Sequence, residues 1–197
     1  EGGAPGQGGA PGEGGAPGQG GAPGEGGATG FGGDTGVGGS TGGDIDPDAI
    51  YVAPEGDSGA DGTLEDPTDL ITAVSRVSAG GTIYMRGGDY SYGSTITISK
   101  SGSNGSVITL SAYPLDAERP FLDFSSMSES DSNRGVRLSG GYWHIYGLDL
   151  FGAGDNCMNV SGSNNTIEFT SFSECADTGL QLGGGASNNL IVNCDSY

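Results

Sequence analysis

Positive charge is the scarcest feature of this sequence: its 197 residues hold 6 Lys plus Arg against 25 Asp plus Glu, a formal charge of −19 at pH 7. A nucleic-acid binder needs a basic footprint, so that class is excluded. No stretch approaches the roughly 18 consecutive apolar residues of a membrane-spanning helix, and none is expected. With 3 Cys the chain is no disulfide scaffold, and Cys157, Cys175 and Cys194, 18 and 19 residues apart, lack the close pairs of zinc sites. Either one disulfide with an odd thiol or three buried thiols fits them. The single histidine, His144, lies between Trp143 and Ile145 in a strand pattern and supports neither a nucleophilic triad nor a His-rich metal site.

Glycine, by contrast, is abundant and uneven, with 22 of the 43 Gly falling before Asp44. There the chain runs through hexads of the form Gly-Gly-Ala-Pro-Gly-Gln, drifting to Gly-Gly-Ser-Thr-Gly-Gly. With almost no apolar side chain beyond Phe31 and Val37, such a tract cannot bury enough surface to offset its ordering entropy. A disordered, Gly-rich flexible linker over residues 1–43 is expected. Gly at every third residue from Gly3 to Gly42 also fits a short collagen-like trimerising stalk, but Pro occurs only at Pro5, Pro11, Pro17 and Pro23. The start at Glu1, with neither Met nor a signal sequence, reads as a processed or cut end.

From Asp44 onward the acidity persists, with 21 Asp plus Glu against 6 Lys plus Arg, or −15. Short β-branched runs separated by Gly, Asn and Ser predict strands at Ile50–Val52, Thr82–Met85, Ser94–Ile98 and Val107–Leu110, with turns at Gly87-Gly88-Asp89 and Ser103-Asn104-Gly105. One amphipathic helix is expected within Pro67–Ala79, N-capped by Thr68 or Asp69 and ended by Gly80-Gly81.

The second half repeats itself. Gly135-Val136-Arg137-Leu138, Cys157-Met158-Asn159-Val160 and Gly179-Leu180-Gln181-Leu182 follow one another by 22 residues. Ile145 and Ile167, Leu150 and Phe172, and Asp155 and Asp177 keep the same step; Ser163-Asn164-Asn165 recurs at 24, the extra length falling in a Gly183–Gly185 loop. Short strands with inward aliphatics at this period require a parallel β-helix, in which each coil stacks on the last. The fold expected is therefore all-β: a parallel solenoid with an N-terminal cap holding one short helix. Residues 44–130 form the cap and first strands, and 131–197 the regular coils.

Because side chains alternate along a strand, Arg137, Asn159 and Gln181 point outward as one polar row. Such a row is either an ordinary exposed face or a saccharide-contacting surface, with Arg137 suited to a sugar carboxylate. Asp155 and Asp177 stack beside it, as turn caps or, less simply, as calcium ligands. Lys100 reads as a solvated charge at a turn. Tyr51, Tyr84, Tyr90, Tyr92 and Tyr113 cluster in the cap, where packed rings with wet hydroxyls are expected.

Ile50-Tyr51-Val52-Ala53-Pro54-Glu55-Gly56-Asp57 and Gly81-Thr82-Ile83-Tyr84 resemble the opening of many secreted right-handed β-helix proteins. Tyr142-Trp143-His144-Ile145-Tyr146-Gly147-Leu148, Asp177-Thr178-Gly179-Leu180-Gln181-Leu182 and Asn188-Asn189-Leu190-Ile191-Val192-Asn193-Cys194-Asp195-Ser196-Tyr197 are similar to pectate lyases of polysaccharide lyase family 9. The resemblance implies a right-handed coil, secretion, a pectate-like acidic polysaccharide as partner, and calcium-assisted β-elimination of polygalacturonate. A cation on the uronate carboxylate would stabilise the charge that develops when a base removes the C5 proton. The family's base is a Lys and its calcium ligands are a cluster of Asp that includes an Asp-Asp-Gly-Trp-Asp run; no residue of this chain matches either. No catalytic or metal residue is therefore assigned, and the chain is expected to be the N-terminal part of a longer, monomeric protein. Two other readings stay open: a noncatalytic β-helix for carbohydrate binding or adhesion, and a lyase for another uronate polymer such as alginate.

Overall fold

A computed structural model describes residues 2–3 and 45–197. The expected linker and its collagen-like alternative lie outside the described residues. The chain divides into two units, 1–40 and 41–197, and the second holds every element named below.

That unit begins with β1 (Ile50–Val52) and α1 (Leu70–Arg76). The helix starts at Asp69, one of the two caps expected, whose carboxylate accepts from the Thr72 amide at 2.9 Å. Leu70, Ala73 and Val74 face the core. Lys100 corrects the sequence reading. Its Nζ donates to the carbonyls of Ser75 and Val77 at 2.6 and 2.7 Å, so it caps the C-terminal end of α1 instead of standing free in water.

The chain then winds in coils of three short strands. The first coil is β2 (Thr82–Met85), β3 (Gly88–Ser91) and β4 (Ile96–Ile98); the second is β5 (Ile108–Ala112), β6 (Pro120–Asp123) and β7 (Val136–Leu138). The third is β8 (Trp143–Tyr146), β9 (Asp149–Phe151) and β10 (Met158–Val160); the fourth is β11 (Thr166–Glu168), β12 (Ser171–Ser173) and β13 (Leu180–Leu182). Next come β14 (Leu190–Val192) and β15 (Asp195–Ser196). Strands stack in parallel into three sheets: sheet A is β1-β2-β5-β8-β11-β14, sheet B is β3-β6-β9-β12-β15, and sheet C is β4-β7-β10-β13. Every third strand thus joins the same sheet, the topology of a parallel β-helix. Gly88-Asp89, expected as a turn, instead begin β3, because they pair with Pro120-Phe121 of the next coil.

The interior is a set of apolar ladders. Ile83, Leu110, Ile145 and Ile167 stack on sheet A, and Tyr90, Leu122, Leu150 and Phe172 on sheet B, all buried. On sheet C, Val136, Met158 and Leu180 form one ladder and Leu138, Val160 and Leu182 the other, in the register that the 22-residue step predicts. Ile96 and Ile98 extend both ladders by one coil. Leu182 and Leu190, on the outermost described strands, are half exposed.

From the third coil onward the corners are turned by residues with positive φ. In the third coil these are Tyr142, Gly147 and Gly152, and one coil on Asn164, Phe169 and Glu174. Between sheets C and A the coils touch backbone to backbone: a Cβ on Gly162 would lie 1.8 Å from the Gly140 carbonyl, so only glycine fits. The same corner holds an asparagine ladder, buried at Asn165 and half-buried at Asn189. Asn165 Oδ1 accepts from the Trp143 amide at 2.9 Å while its Nδ2 donates to the Gly140 carbonyl at 3.1 Å. Asn189 repeats both bonds one coil later, to Asn165 N and Gly162 O.

In the cap, Tyr51, Tyr84 and Tyr113 pack at 5.5 to 5.8 Å between ring centroids, and Tyr92 stacks on Phe124. Packing was expected; a wet hydroxyl on Tyr90 was not found. Its oxygen lies 2.8 and 3.1 Å from the carbonyls of Arg86 and Val52, which accept its proton inside the cap, and burial raises its pKa.

Candidate functional site

Sheet C carries the polar row. Thr97, Arg137, Asn159 and Gln181 are consecutive register partners on β4, β7, β10 and β13, each flanked by two inward apolar residues. Apolar-polar-apolar triplets place them: Ile-Thr-Ile, Val-Arg-Leu, Met-Asn-Val and Leu-Gln-Leu admit one burial pattern on a strand with one wet face. Neighbouring strands lie about 4.8 Å apart, so the row advances one polar group per coil along the solenoid axis. Asn159 Nδ2 donates to Gln181 Oε1 at 2.7 Å, leaving Asn159 Oδ1 and the Gln181 amide protons free for an outside partner.

Arg137 stands apart from the other cations. Arg76 donates to the carbonyls of Ala60 and Ser58, and Arg86 is paired with Asp116 at 2.7 Å. Lys100 caps α1. Arg119 reaches across coils to the carbonyls of Gly147, Leu148 and Phe169 and to Asp149. Arg134 Nε lies 3.2 Å from Asp155 Oδ2 and 3.4 Å from Asn156 Oδ1. Among the described residues, Arg137 alone of the six has no such partner, and it is exposed.

Charge is also sorted by face. Sheet B bears Asp89, Asp123, Asp149 and Asp195, sheet A bears Glu168, and the strands of sheet C bear no carboxylate. A chain of formal charge −19 therefore presents one sheet face whose only charge is positive.

Asp155 and Asp177 stack at the entrance of β10 and β13, but not as turn caps. Asp155 takes Arg134, and Asp177 accepts from the buried Asn156 Nδ2 at 2.9 Å. Asp155 Oδ2 is buried and, for all its closeness to Arg134, outside hydrogen-bond alignment. These residues do not fit calcium: two carboxylates, one already neutralised by a guanidinium, fall short of the six to eight oxygens the ion takes. Among the described residues no group of three His, Cys, Asp or Glu could hold a metal.

Of the two cysteine readings, the structure shows the disulfide: Cys157 and Cys175 are bonded and Cys194 is free. His144 lies on sheet A, 3.2 Å from Glu168 and remote from the polar row.

Two contributors escaped the sequence reading. Thr97 lies 40 residues before Arg137, outside the 22-residue step, although its Ile-Thr-Ile triplet was the available signal. The asparagines were seen as a repeat, but only the stacked coils reveal that they bridge them.

Three stacked parallel sheets, one of them with an outward row of hydrogen-bonding side chains, define a parallel β-helix protein. Residues 50–197 match the model of the Pel9A-like, right-handed β-helix region, and the chain belongs to that family. It is similar to pectate lyase L of Paenibacillus polymyxa (45% identity over 159 residues, 75% of this chain and 35% of that protein) and of Dickeya chrysanthemi (33% over 156 residues, 75% and 36%). The crystal structure of pectate lyase Pel9A superposes with a TM-score of 0.66 at 33% identity, over 74% of this chain and 38% of that one. The chain thus spans about a third of the length of these two relatives. No helix among the described residues is long and apolar enough to cross a membrane.

Proposed function

We propose that this chain forms the cap and first coils of a secreted polysaccharide lyase that cleaves polygalacturonate by β-elimination, and that Arg137, Asn159 and Gln181 lie against the polymer. The observation that carries this reading is the sorting of charge: in an acidic protein, the one sheet free of carboxylate also carries, among the described residues, the one Lys or Arg without a partner. The names of the relatives, pectate lyases, supply the polymer. Secretion is supported by the Cys157–Cys175 disulfide, which persists in oxidising compartments. In this reading residues 1–43 tether the domain, 44–130 are the cap and first strands, 131–197 are regular coils, and the protein acts as a monomer.

The base and the calcium that the family resemblance implies are assigned to the parent enzyme, not to residues of this chain, since Asp155 and Asp177 do not fit the ion. The test is release of unsaturated uronate products from polygalacturonate in calcium, followed by absorbance. A longer protein continuing past Tyr197 is expected to release them and to stop when calcium is chelated; this chain alone is expected to bind without cleaving. Product from this chain alone would overturn the placement of the catalytic groups. Binding without cleavage by the longer protein would favour a noncatalytic carbohydrate-binding β-helix, and cleavage of alginate instead would move the substrate.

A further inference from the structure

We infer that Arg137 is the residue that reads the free carboxylate of the polymer, and so sets preference for unesterified over methyl-esterified chains. This deepens the proposed function and rests on it.

Along the row, hydrogen-bonding capacity is unequal. Thr97 offers a hydroxyl, while Asn159 and Gln181 satisfy one another in part through their 2.7 Å bond and keep neutral donors and acceptors for sugar hydroxyls. Only Arg137 offers charge. The other five cations are held by carbonyls or carboxylates of the fold, so loss of any of them would damage the scaffold, whereas Arg137 contributes nothing visible to it. No carboxylate on sheet C competes for its guanidinium.

A guanidinium recognises a carboxylate through two parallel N–H···O bonds and full opposite charge. A methyl ester presents a neutral carbonyl and an ether oxygen, and forfeits both the charge and the second strong acceptor. Polar groups at one per coil advance along the axis by about one strand spacing, about 4.8 Å. That is comparable to the length of one sugar in an extended chain, so the polymer is read parallel to the axis. One carboxylate is held at Arg137, with hydroxyls of its neighbours facing Thr97 on one side and Asn159 and Gln181 on the other.

The experiment measures binding of this chain, in EDTA to remove calcium bridging, to polygalacturonate, to highly methyl-esterified pectin and to neutral galactan. Wild type, Arg137→Gln and Arg137→Lys are compared. Wild type is expected to prefer polygalacturonate over the esterified polymer by about tenfold, the size of one net charge-assisted contact. Arg137→Gln should abolish that preference with an unchanged thermal midpoint, and Arg137→Lys should restore part of it, keeping the charge without the fork. A preference that survives Arg137→Gln overturns the inference while leaving sheet C as the polymer face. Equal binding of all three polymers by wild type also overturns it. No binding to any of them overturns both the inference and the proposed function.

Discussion

The asparagine ladder predicts a large and chemically specific loss at Asn165. Its side chain is 1% exposed and makes two bonds to backbone groups of the preceding coil, accepting from Trp143 N at 2.9 Å and donating to Gly140 O at 3.1 Å. Asn165→Ala leaves a buried amide and a buried carbonyl without partners; at about 1–3 kcal/mol for each, the expected cost is about 2–6 kcal/mol. Asn165→Asp is the sharper perturbation, because the shape is kept. The oxygen facing Trp143 N still accepts, but the atom facing the Gly140 carbonyl becomes an acceptor opposed to an acceptor. Protonation of the new carboxyl restores a donor there, and burial favours the neutral form as well. The folded-state pKa of this Asp is therefore raised, so the deficit relative to wild type is smallest at low pH and grows as pH rises through that value. The assay is denaturant unfolding of wild type and both variants from pH 4 to pH 8. An Asn165→Asp deficit under about 1 kcal/mol at neutral pH, or one that does not shrink on acidification, would refute the assignment of these bonds as coil-to-coil supports.

Replacing both Cys157 and Cys175 by Ala opens a link with a sequence separation of 18 and is expected to lower the unfolding free energy by about 3 kcal/mol, measured by denaturant titration against the oxidised wild type. In the cap, hydrogen bonds from the Arg86 guanidinium, assisted by the Gly87 amide, hold Asp116 below its ordinary value of 3.8. The stability this provides is complete above that value and is lost as pH falls through the lower folded-state value. Thermal midpoints should accordingly drop more steeply below about pH 4 in wild type than in Asp116→Asn.

Much of the fold could be read before the coils were seen because the ladder arithmetic is local. A 22-residue step with apolar residues two apart leaves one register, and Val136, Met158 and Leu180 occupy it. Where the step fails, so did the reading. The segment between β4 and β7 holds β5 and β6 with long connections, so Thr97 could not be counted onto the row, and Gly88-Asp89 looked like a turn although their neighbours in the next coil make them a strand. Side-chain partners far apart in sequence were the least legible. Lys100 reaches carbonyls 23 and 25 residues before it, and Asp155 pairs with Arg134 across a coil, contacts that no pattern of residue types encodes. The polar row itself was legible, since alternation on a strand fixes its direction; that it is the one sheet face without carboxylate depends on the assignment of strands to sheets.

That assignment bears on how a chain of charge −19 could approach an anionic polymer at all. The carboxylates of sheet B and the free charge on Arg137 act over different ranges. Faces of the solenoid are separated by on the order of 10 Å, the spacing of packed sheets. At 0.01 M ionic strength the screening length is about 30 Å, and a polymer on sheet C feels the repulsion of the whole molecule; at 0.1 M it is about 10 Å, and the distant carboxylates fade first. Contact between Arg137 and a sugar carboxylate, at hydrogen-bond range, is weakened far less. Affinity of this chain for polygalacturonate should therefore rise as salt is increased from 0.01 to 0.1 M, opposite to the behaviour of a binder with a basic groove. Titrations at a series of NaCl concentrations measure this directly. A steady fall in affinity from the lowest salt upward would mean that attraction dominates at every distance, and that the acidic faces do not oppose the polymer as their placement requires.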